Sequence, residues 1–411
     1  MLAKSARGYW PAEPLTVHLS AALDAARLVA ERTGQITVVA GVLARFWDTV
    51  ALADLLHDAG KIPDGCQAML AGGPVWGERH EVLSLGFVEL VADDELRAWV
   101  AAAVATHHRS LTNSPRSLAA LYGAAPVGEW RARFSSLDQA AADELAAWLY
   151  ETASAAGLPV KPLSAGADWV SQAHTELNRL LDRWEYGADP GEGLVAVLLQ
   201  GAVTMADHLS SAHGKLHLTQ PMGPAFAARL EAAITAKGYS LRPHQRRAAA
   251  VENHLLLRSR TGSGKTEAAW LWACRQTATM HAAGQGVARV FYTLPYLASI
   301  NANADRTTRE LGSADQVGVA HGRAAAYHLT NAVCPEDGDA ERVTAARKAV
   351  ARQAATRLFK ETVRITTPTS CCAPRWSERP TPPCSWTERT RCSSWTSCTP
   401  TTPNGSATSW P

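Results

Sequence analysis

The sequence predicts a multidomain chain: an all-α domain over residues 1–225, an incomplete α/β domain over 226–370, and an aberrant tail over 371–411. Three observations predict it. Residues 12 to about 225 run as Ala-, Leu- and Val-rich segments with charges at helical spacing, broken by Gly and Pro. From Tyr239 onward, helical patterns alternate with short apolar runs, His254–Leu257 and Val287–Tyr292, which read as buried parallel strands. Near Thr369 the composition changes abruptly.

At 411 residues the chain can bury two or three cores. Its net charge of +2 excludes a surface coated in Lys and Arg, so any nucleic-acid contact must come from a local basic groove. The first residues carry no apolar signal region. The longest apolar stretch, Gly193 to Ala206, is interrupted by Gln200 and is shorter than a bilayer requires, so it predicts a buried helix. Before residue 371 the only cysteines are Cys66, Cys274 and Cys334, a spacing that suits reduced thiols. Together these features predict a cytoplasmic protein with no membrane partner.

The first constellation lies in the helical half. Leu55-Leu56-His57-Asp58-Ala59-Gly60-Lys61 closes an apolar helix expected to start near Val42, with Gly60 as its cap. Consecutive residues at a helix end can aim an imidazole nitrogen and a carboxylate at one point, and the two carboxylate oxygens can bridge two cations. Cations sharing Asp58 would sit roughly 3.5–4 Å apart, the spacing that clamps attacking and leaving oxygens in phosphodiester hydrolysis. Further candidate ligands are His18, His80, the pair His107-His108, and Asp207. A single histidine in an apolar helix is ordinarily a core or surface residue. A first-helix His, a His-Asp-x-Gly-Lys segment, a spaced His, a His-His pair and a late Ala-Asp, in that order, point instead to a metal site. Imidazole and carboxylate together suit Mn, Fe, Ni, Co or Zn, and admit Mg when waters complete the shell.

The second constellation is Leu255-Leu256-Leu257 leading into Arg258-Ser259-Arg260-Thr261-Gly262-Ser263-Gly264-Lys265-Thr266, followed by a helix. Such a loop turns backbone N–H groups toward phosphates; Lys265 reaches the outer phosphates and Thr266 offers a hydroxyl to Mg²⁺. The strict phosphate-loop pattern wants Gly at position 259, where this chain has Ser; the shorter Thr-Gly-Ser-Gly-Lys-Thr form is that of helicases. Upstream, Leu241-Arg242-Pro243-His244-Gln245 resembles the segment by which superfamily 2 helicases read adenine, with Gln245 as the reader. Downstream, Thr293-Leu294-Pro295-Tyr296 and Ile365-Thr366-Thr367-Pro368 resemble the helicase segments that touch the DNA strand. Residues 226 to 368 thus look like the first two-thirds of one RecA-like helicase domain that binds ATP with Mg.

Over residues 10 to 225 the chain resembles the HD nuclease domain of the CRISPR-associated helicase-nucleases of type I systems. The resemblance implies that His57, Asp58 and Asp207, with His18 nearby, hold one divalent cation, and that Asp58, His80, His107 and His108 hold a second. It further implies cleavage of single-stranded DNA and recruitment by an RNA-guided CRISPR surveillance complex. Asp58 and Lys61 are the candidate catalytic residues; Lys61 matches the family lysine of this motif, or is a solvated cation complementing the helix end. Two other functions fit the same residues: a phosphohydrolase acting on nucleotides, and a truncated product without catalysis.

Residues 371–411 contain no Leu, Ile, Val, Phe, Tyr, Met or Lys, yet hold four Trp and five Cys, a composition that builds no core. A frameshift accounts for it. With GC-rich codons, Cys392 to Trp410 read one base earlier gives VLVLDELHAYDPERLGHIL, a helicase strand and DExH box, and the same shift turns Thr369–Trp376 into HQLLRAAV. The acidic pair that positions Mg²⁺ and the attacking water is therefore expected to be missing, and with it helicase activity.

Overall fold

The structure, a computed structural model, describes residues 1–6, 11–112, 114–163, 166–334, 336, 338–357 and 360–369. The tail expected over 371–411 lies outside the described residues. The chain is mostly helical with small sheets and divides into two compact units between Leu218 and Thr219.

The first unit opens on an antiparallel pair, β1 (Leu2–Lys4) and β2 (Glu13–Pro14). It continues with α1 (Leu15–Thr33), α2 (Phe46–Leu56), α3 (Asp64–Leu70), α4 (His80–Ser84), α5 (Asp94–Thr106), α6 (Val127–Arg133), α7 (Gln139–Ala155), α8 (Trp169–Arg183) and α9 (Pro190–Ser211). Four of the longer helices start on an aspartate whose side chain accepts from an otherwise orphaned N–H: Asp93, Asp138, Asp168 and Asp189 cap α5, α7, α8 and α9. Pro190 in the first turn of α9 adds a preset helical φ. The core gathers Leu15 and Leu19 of α1, Val50, Leu52 and Leu55 of α2, Trp99 of α5, and Phe87 stacked on Trp169 at 4.7 Å.

Three expectations change here. The helical half is not purely α, because the β1–β2 pair precedes α1; strands of two or three residues leave no periodicity in a sequence. The helix leading to His57 begins at Phe46 and ends at Leu56. Gly60 is not its cap but lies in a 3₁₀ turn over Ala59–Lys61, where a Cβ would collide with the His80 carbonyl and with Ser84 N at 2.5 Å. The apolar stretch from Gly193 belongs to a helix of 22 residues, which by length and composition alone is long enough to cross a membrane. That helix extends beyond the apolar run into Pro190–Glu192 and Asp207–Ser211, and it packs along α1 and α2, burying Val195, Leu199, Ala202, Val203, Ala206 and Leu209.

The second unit contains α10 (Pro224–Thr235), α11 (Pro243–Ala250), α12 (Lys265–Ala282), β3 (Val290–Thr293), α13 (Leu297–Leu311), β4 (Val317–Ala320), α14 (Ala324–Thr330), α15 (Asp339–Arg357) and β5 (Val363–Thr366). Met222 and Phe226 already belong to its core. The sheet is parallel with order β3-β5-β4, and Val363–Thr366 pairs with Val290–Thr293 on one side and Val317–Ala320 on the other. Val363 and Ile365 are fully buried, as expected for a central strand of a parallel sheet. The run Val287–Tyr292 does supply a strand, β3. His254–Leu257 does not: Leu255 and Leu257 face the core, Leu256 is 97 % exposed, and no strand among the described residues pairs with the segment. An extended segment becomes a buried strand only when neighbouring strands satisfy its N–H and C=O groups, and the sheet as described ends without one to offer.

Candidate metal centre and nucleotide loop

The ligand candidates of the first unit come together. His57 sits at the C-terminal end of α2 with φ still helical, which lets its Nδ1 donate to the Asp54 carbonyl at 2.7 Å. His107 follows α5 in the same way, with Nδ1 against the Val104 carbonyl at 2.6 Å. In both, one backbone hydrogen bond fixes the tautomer and leaves the Nε2 lone pair facing inward. His18, in the first turn of α1, brings Nε2 within 3.3 Å of Asp58 Oδ2, and His57 Nε2 lies 3.5 Å from the same oxygen. Asp207 Oδ1, from α9, stands 3.8 Å from His18 Nε2 and 3.7 Å from His57 Nε2. The other oxygen of Asp58, Oδ1, faces His80 Nε2 at 3.0 Å. His80 opens α4 and groups with His107 and His108, whose donor atoms lie within 4.8 Å of one another, as do those of His18, His57 and Asp58. Asp58 therefore presents one oxygen to each group.

Chemistry and burial agree with this geometry. The Nε2 atoms of His18, His57, His80 and His107 and Oδ1 of Asp58 are buried without a hydrogen-bond partner. Orphaned buried polar atoms are costly, and five of them converging from four segments form a donor set for cations. Burial lowers the His57 and His107 pKa values, His107 the more strongly, with the neighbouring imidazoles adding to that effect at His107. Burial and His80 likewise lower His108. Burial acts to raise Asp58, but His57, Lys61, His18 and His80 outweigh it and hold the carboxyl well below its ordinary value. The imidazoles of His57, His107 and His108 are thus neutral and the Asp58 carboxylate ionised at neutral pH, the states in which both can bind a metal. Lys61 is not a solvated cation: its side chain is 13 % exposed and its Nζ donates to Asp58 Oδ2 at 2.5 Å and to the Ala3 carbonyl at 3.1 Å.

Ser84, Tyr122 and Asp54, none of them singled out in the sequence, build this centre. Gly60 N donates to Ser84 Oγ and Ser84 Oγ donates to the His57 carbonyl, both at 2.8 Å, so one hydroxyl staples the His-Asp turn to α4. Tyr122 OH donates to Glu78 Oε2 at 2.8 Å and accepts from Arg79 N at 3.0 Å, fixing the approach to His80. Asp54 is fully buried with neither carboxyl oxygen partnered; burial and the nearby Asp207 raise its pKa well above the usual carboxylate range. Tyr122 and Asp54 carry no local signal, since their roles depend on which helices meet. Of the thiols, Cys66 and Cys274 are buried, which pushes their pKa values up to about 11 and about 12 and leaves them inert.

In the second unit, Gly262 and Gly264 take positive φ values of 77° and 82°, and α12 starts at Lys265 directly behind them. The φ of Gly264 favours glycine, and a Cβ there would push the Gln245 side-chain amide out of its place against the loop. Gln245 Nε2 donates to the Gly264 carbonyl at 3.1 Å, so the expected adenine reader does lie against the loop. Lys265 Nζ donates to the carbonyls of Ser259 (3.0 Å) and Arg260 (3.2 Å). Ser259 Oγ donates to Ser263 Oγ at 2.7 Å, so the serine that replaces the customary glycine braces the loop. Thr261 is exposed, and Thr266 lies half-buried in the first turn of α12. Thr293 ends β3 and Thr366 ends β5, both buried, while Tyr296 is 71 % exposed.

No family model and no curated protein matches the chain. Among solved structures, the chain is similar to T. fusca Cas3, with 17 % identity, a TM-score of 0.47, and 90 % of this chain covered against 43 % of that one. The ADP complex gives 17 % identity, a TM-score of 0.45, and coverage of 89 % and 43 %. The ATP complex gives 16 % identity, a TM-score of 0.46, and coverage of 90 % and 44 %. The chain thus spans less than half the length of these structures.

Proposed function

We propose that the first unit is a metal-dependent nuclease that hydrolyses phosphodiester bonds of single-stranded DNA. The observation that carries this is the convergence of four unpartnered buried imidazole nitrogens on the Asp58 carboxylate, whose Oδ1 is likewise unpartnered and whose two oxygens face two groups of histidines. His18, His57, Asp58 and Asp207 form one ligand set and Asp58, His80, His107 and His108 the other. Two divalent cations (Mg, Mn, Ni, Co or Fe) held there would polarise a bridging phosphate and make a water nucleophilic at neutral pH. The chain's own residues do the rest. His57 and His107 keep their lone pairs inward through backbone bonds, Asp58 stays ionised, and Lys61 holds the Asp58 carboxylate in place through a charge-assisted bond.

The second unit we assign as a partial helicase domain that binds ATP with Mg through Gln245, Thr261, Gly262, Ser263, Gly264, Lys265 and Thr266, and that does not turn it over. The motif order of both units resembles that of CRISPR type I helicase-nucleases, so the partners proposed are single-stranded DNA and an RNA-guided surveillance complex in the cytoplasm. The test is incubation of the full chain with circular single-stranded DNA and each metal in turn. Degradation that stops with a chelator and in Asp58→Ala supports the assignment. Hydrolysis of mononucleotides with the circle left intact replaces it with a nucleotide phosphohydrolase.

A further inference from the structure

His18 differs from the other inward-facing imidazoles in what holds its far nitrogen, and the consequence rests on the metal centre proposed above. His57 and His107 tie Nδ1 to a carbonyl three residues earlier, which no side-chain substitution removes. Nδ1 of His18 instead faces two side chains from the strand pair: Lys4 Nζ at 3.2 Å and Glu13 Oε2 at 3.5 Å. Lys4 Nζ also meets Glu13 Oε2 at 3.1 Å and donates to Ser211 Oγ at 2.8 Å, and Ser211 donates to Asp207 Oδ1 at 3.1 Å. The strand itself is clamped: Gln67 accepts from Leu2 N at 2.7 Å and donates to the Leu2 carbonyl at 3.0 Å, as a neighbouring strand would. Lys61, which bonds Asp58, donates to the Ala3 carbonyl.

We propose that Glu13 and Lys4 are positioning residues of the metal centre: Glu13 holds His18 in the tautomer that turns its Nε2 lone pair toward Asp58, and Lys4 anchors Glu13. An ammonium has no lone pair, so it cannot accept a proton from Nδ1, whereas a carboxylate can. With Nδ1–H on Glu13, Nε2 is free for a cation. With Nδ1 accepting from Lys4, Nε2 carries the hydrogen and donates to Asp58, which excludes one. Glu13 selects between these states, in the way a carboxylate behind a metal-bound histidine fixes its tautomer. The side chains of Glu13 and Lys4 reach His18 directly and Asp207 through Ser211, and among the described residues neither makes a hydrogen bond or ion pair with Asp58, His80, His107 or His108; the strand's link to Asp58 runs from Lys61 to the Ala3 backbone carbonyl, which these substitutions leave in place. The effect is therefore one-sided.

The experiment titrates the full chain with Mn²⁺ in competition with a chromophoric chelator. Glu13→Ala and Lys4→Met are expected to weaken one of two binding steps by about 10- to 100-fold and leave the other unchanged, with helical content preserved. Glu13→Gln, which keeps a carbonyl acceptor, is expected to lose less. Equal weakening of both steps, or of neither, overturns the proposal while leaving the metal centre standing; a wild-type chain that takes up no metal overturns both. Should the variants fail to fold, histidine-¹⁵N spectra of the unaltered chain with Zn²⁺ decide the matter. A proton on His18 Nδ1 is expected, and a proton on Nε2 contradicts the proposal.

Discussion

The His-Asp turn and the phosphate loop are both short segments with the residues their chemistry needs, yet their settings differ. The first sits where α1, α2, α4, α5 and α9 meet, and every ligand rides on an element of the same core. The second is preceded by a segment whose Leu256 is 97 % exposed and whose backbone pairs with no strand among the described residues. A site assembled from side chains across helices is complete once its helices pack. A site mounted on a strand also needs the strands beside it, so part of its stability lies in another stretch of sequence.

The largest effect that bears on this contrast is catalytic. Outer-shell partners of metals are worth about 10- to 100-fold, and Asp58 is shared by both ligand groups, so Asp58→Ala should lower DNA cleavage beyond that range. Lys265→Ala should leave cleavage unchanged and weaken binding of a fluorescent ATP analogue; cleavage that falls with Lys265 would mean that the units do not work independently.

Next comes the packing at Gly60. A Cβ there has no room against the α4 backbone, so Gly60→Ala should destabilise the first unit by about 3 kcal/mol. For a unit of this size that is roughly a 6–12 °C lower Tm. Gly264→Ala, strained at φ 82° and clashing with Gln245, should abolish nucleotide binding and leave the first unit's transition in place. Calorimetry of both variants checks the pair.

This is also where legibility divides. The side chains that converge in the first unit could be singled out in the sequence because histidines and aspartates are conspicuous inside apolar helices. Gly60 was legible as a residue but not in its role: helix-end spacing suggests a cap, whereas only the approach of α4 shows a close contact. Lys4 and Glu13 lie outside the helical pattern, in strands too short to show a period. His254–Leu257 has strand composition, and sequence cannot show whether a partner strand is there to receive it.

A smaller effect concerns pH. His57, His107 and His108 have pKa values lowered from 6.5, so below that pH the unfolded chain takes up protons that the folded unit resists. Stability of the metal-free first unit should fall as pH drops below 6.5, by at most about 1.4 kcal/mol per pH unit for each imidazole. Denaturant midpoints at pH 7.5, 6.5 and 5.5 test this, and a midpoint that rises toward acid contradicts it. The smallest effect is at Leu256, where Leu256→Lys should change stability by less than about 0.5 kcal/mol. A loss of several times that would show the segment buried against a partner strand.

The most direct test of the central claim is the metal content of the full chain, loaded with Mn²⁺, freed of excess ion and measured beside Asp58→Ala. Two ions per wild-type chain, with both steps weakened in the variant, is the result predicted for a carboxylate that lends one oxygen to each ligand group. Equal metal content in the two proteins would contradict a shared centre at Asp58.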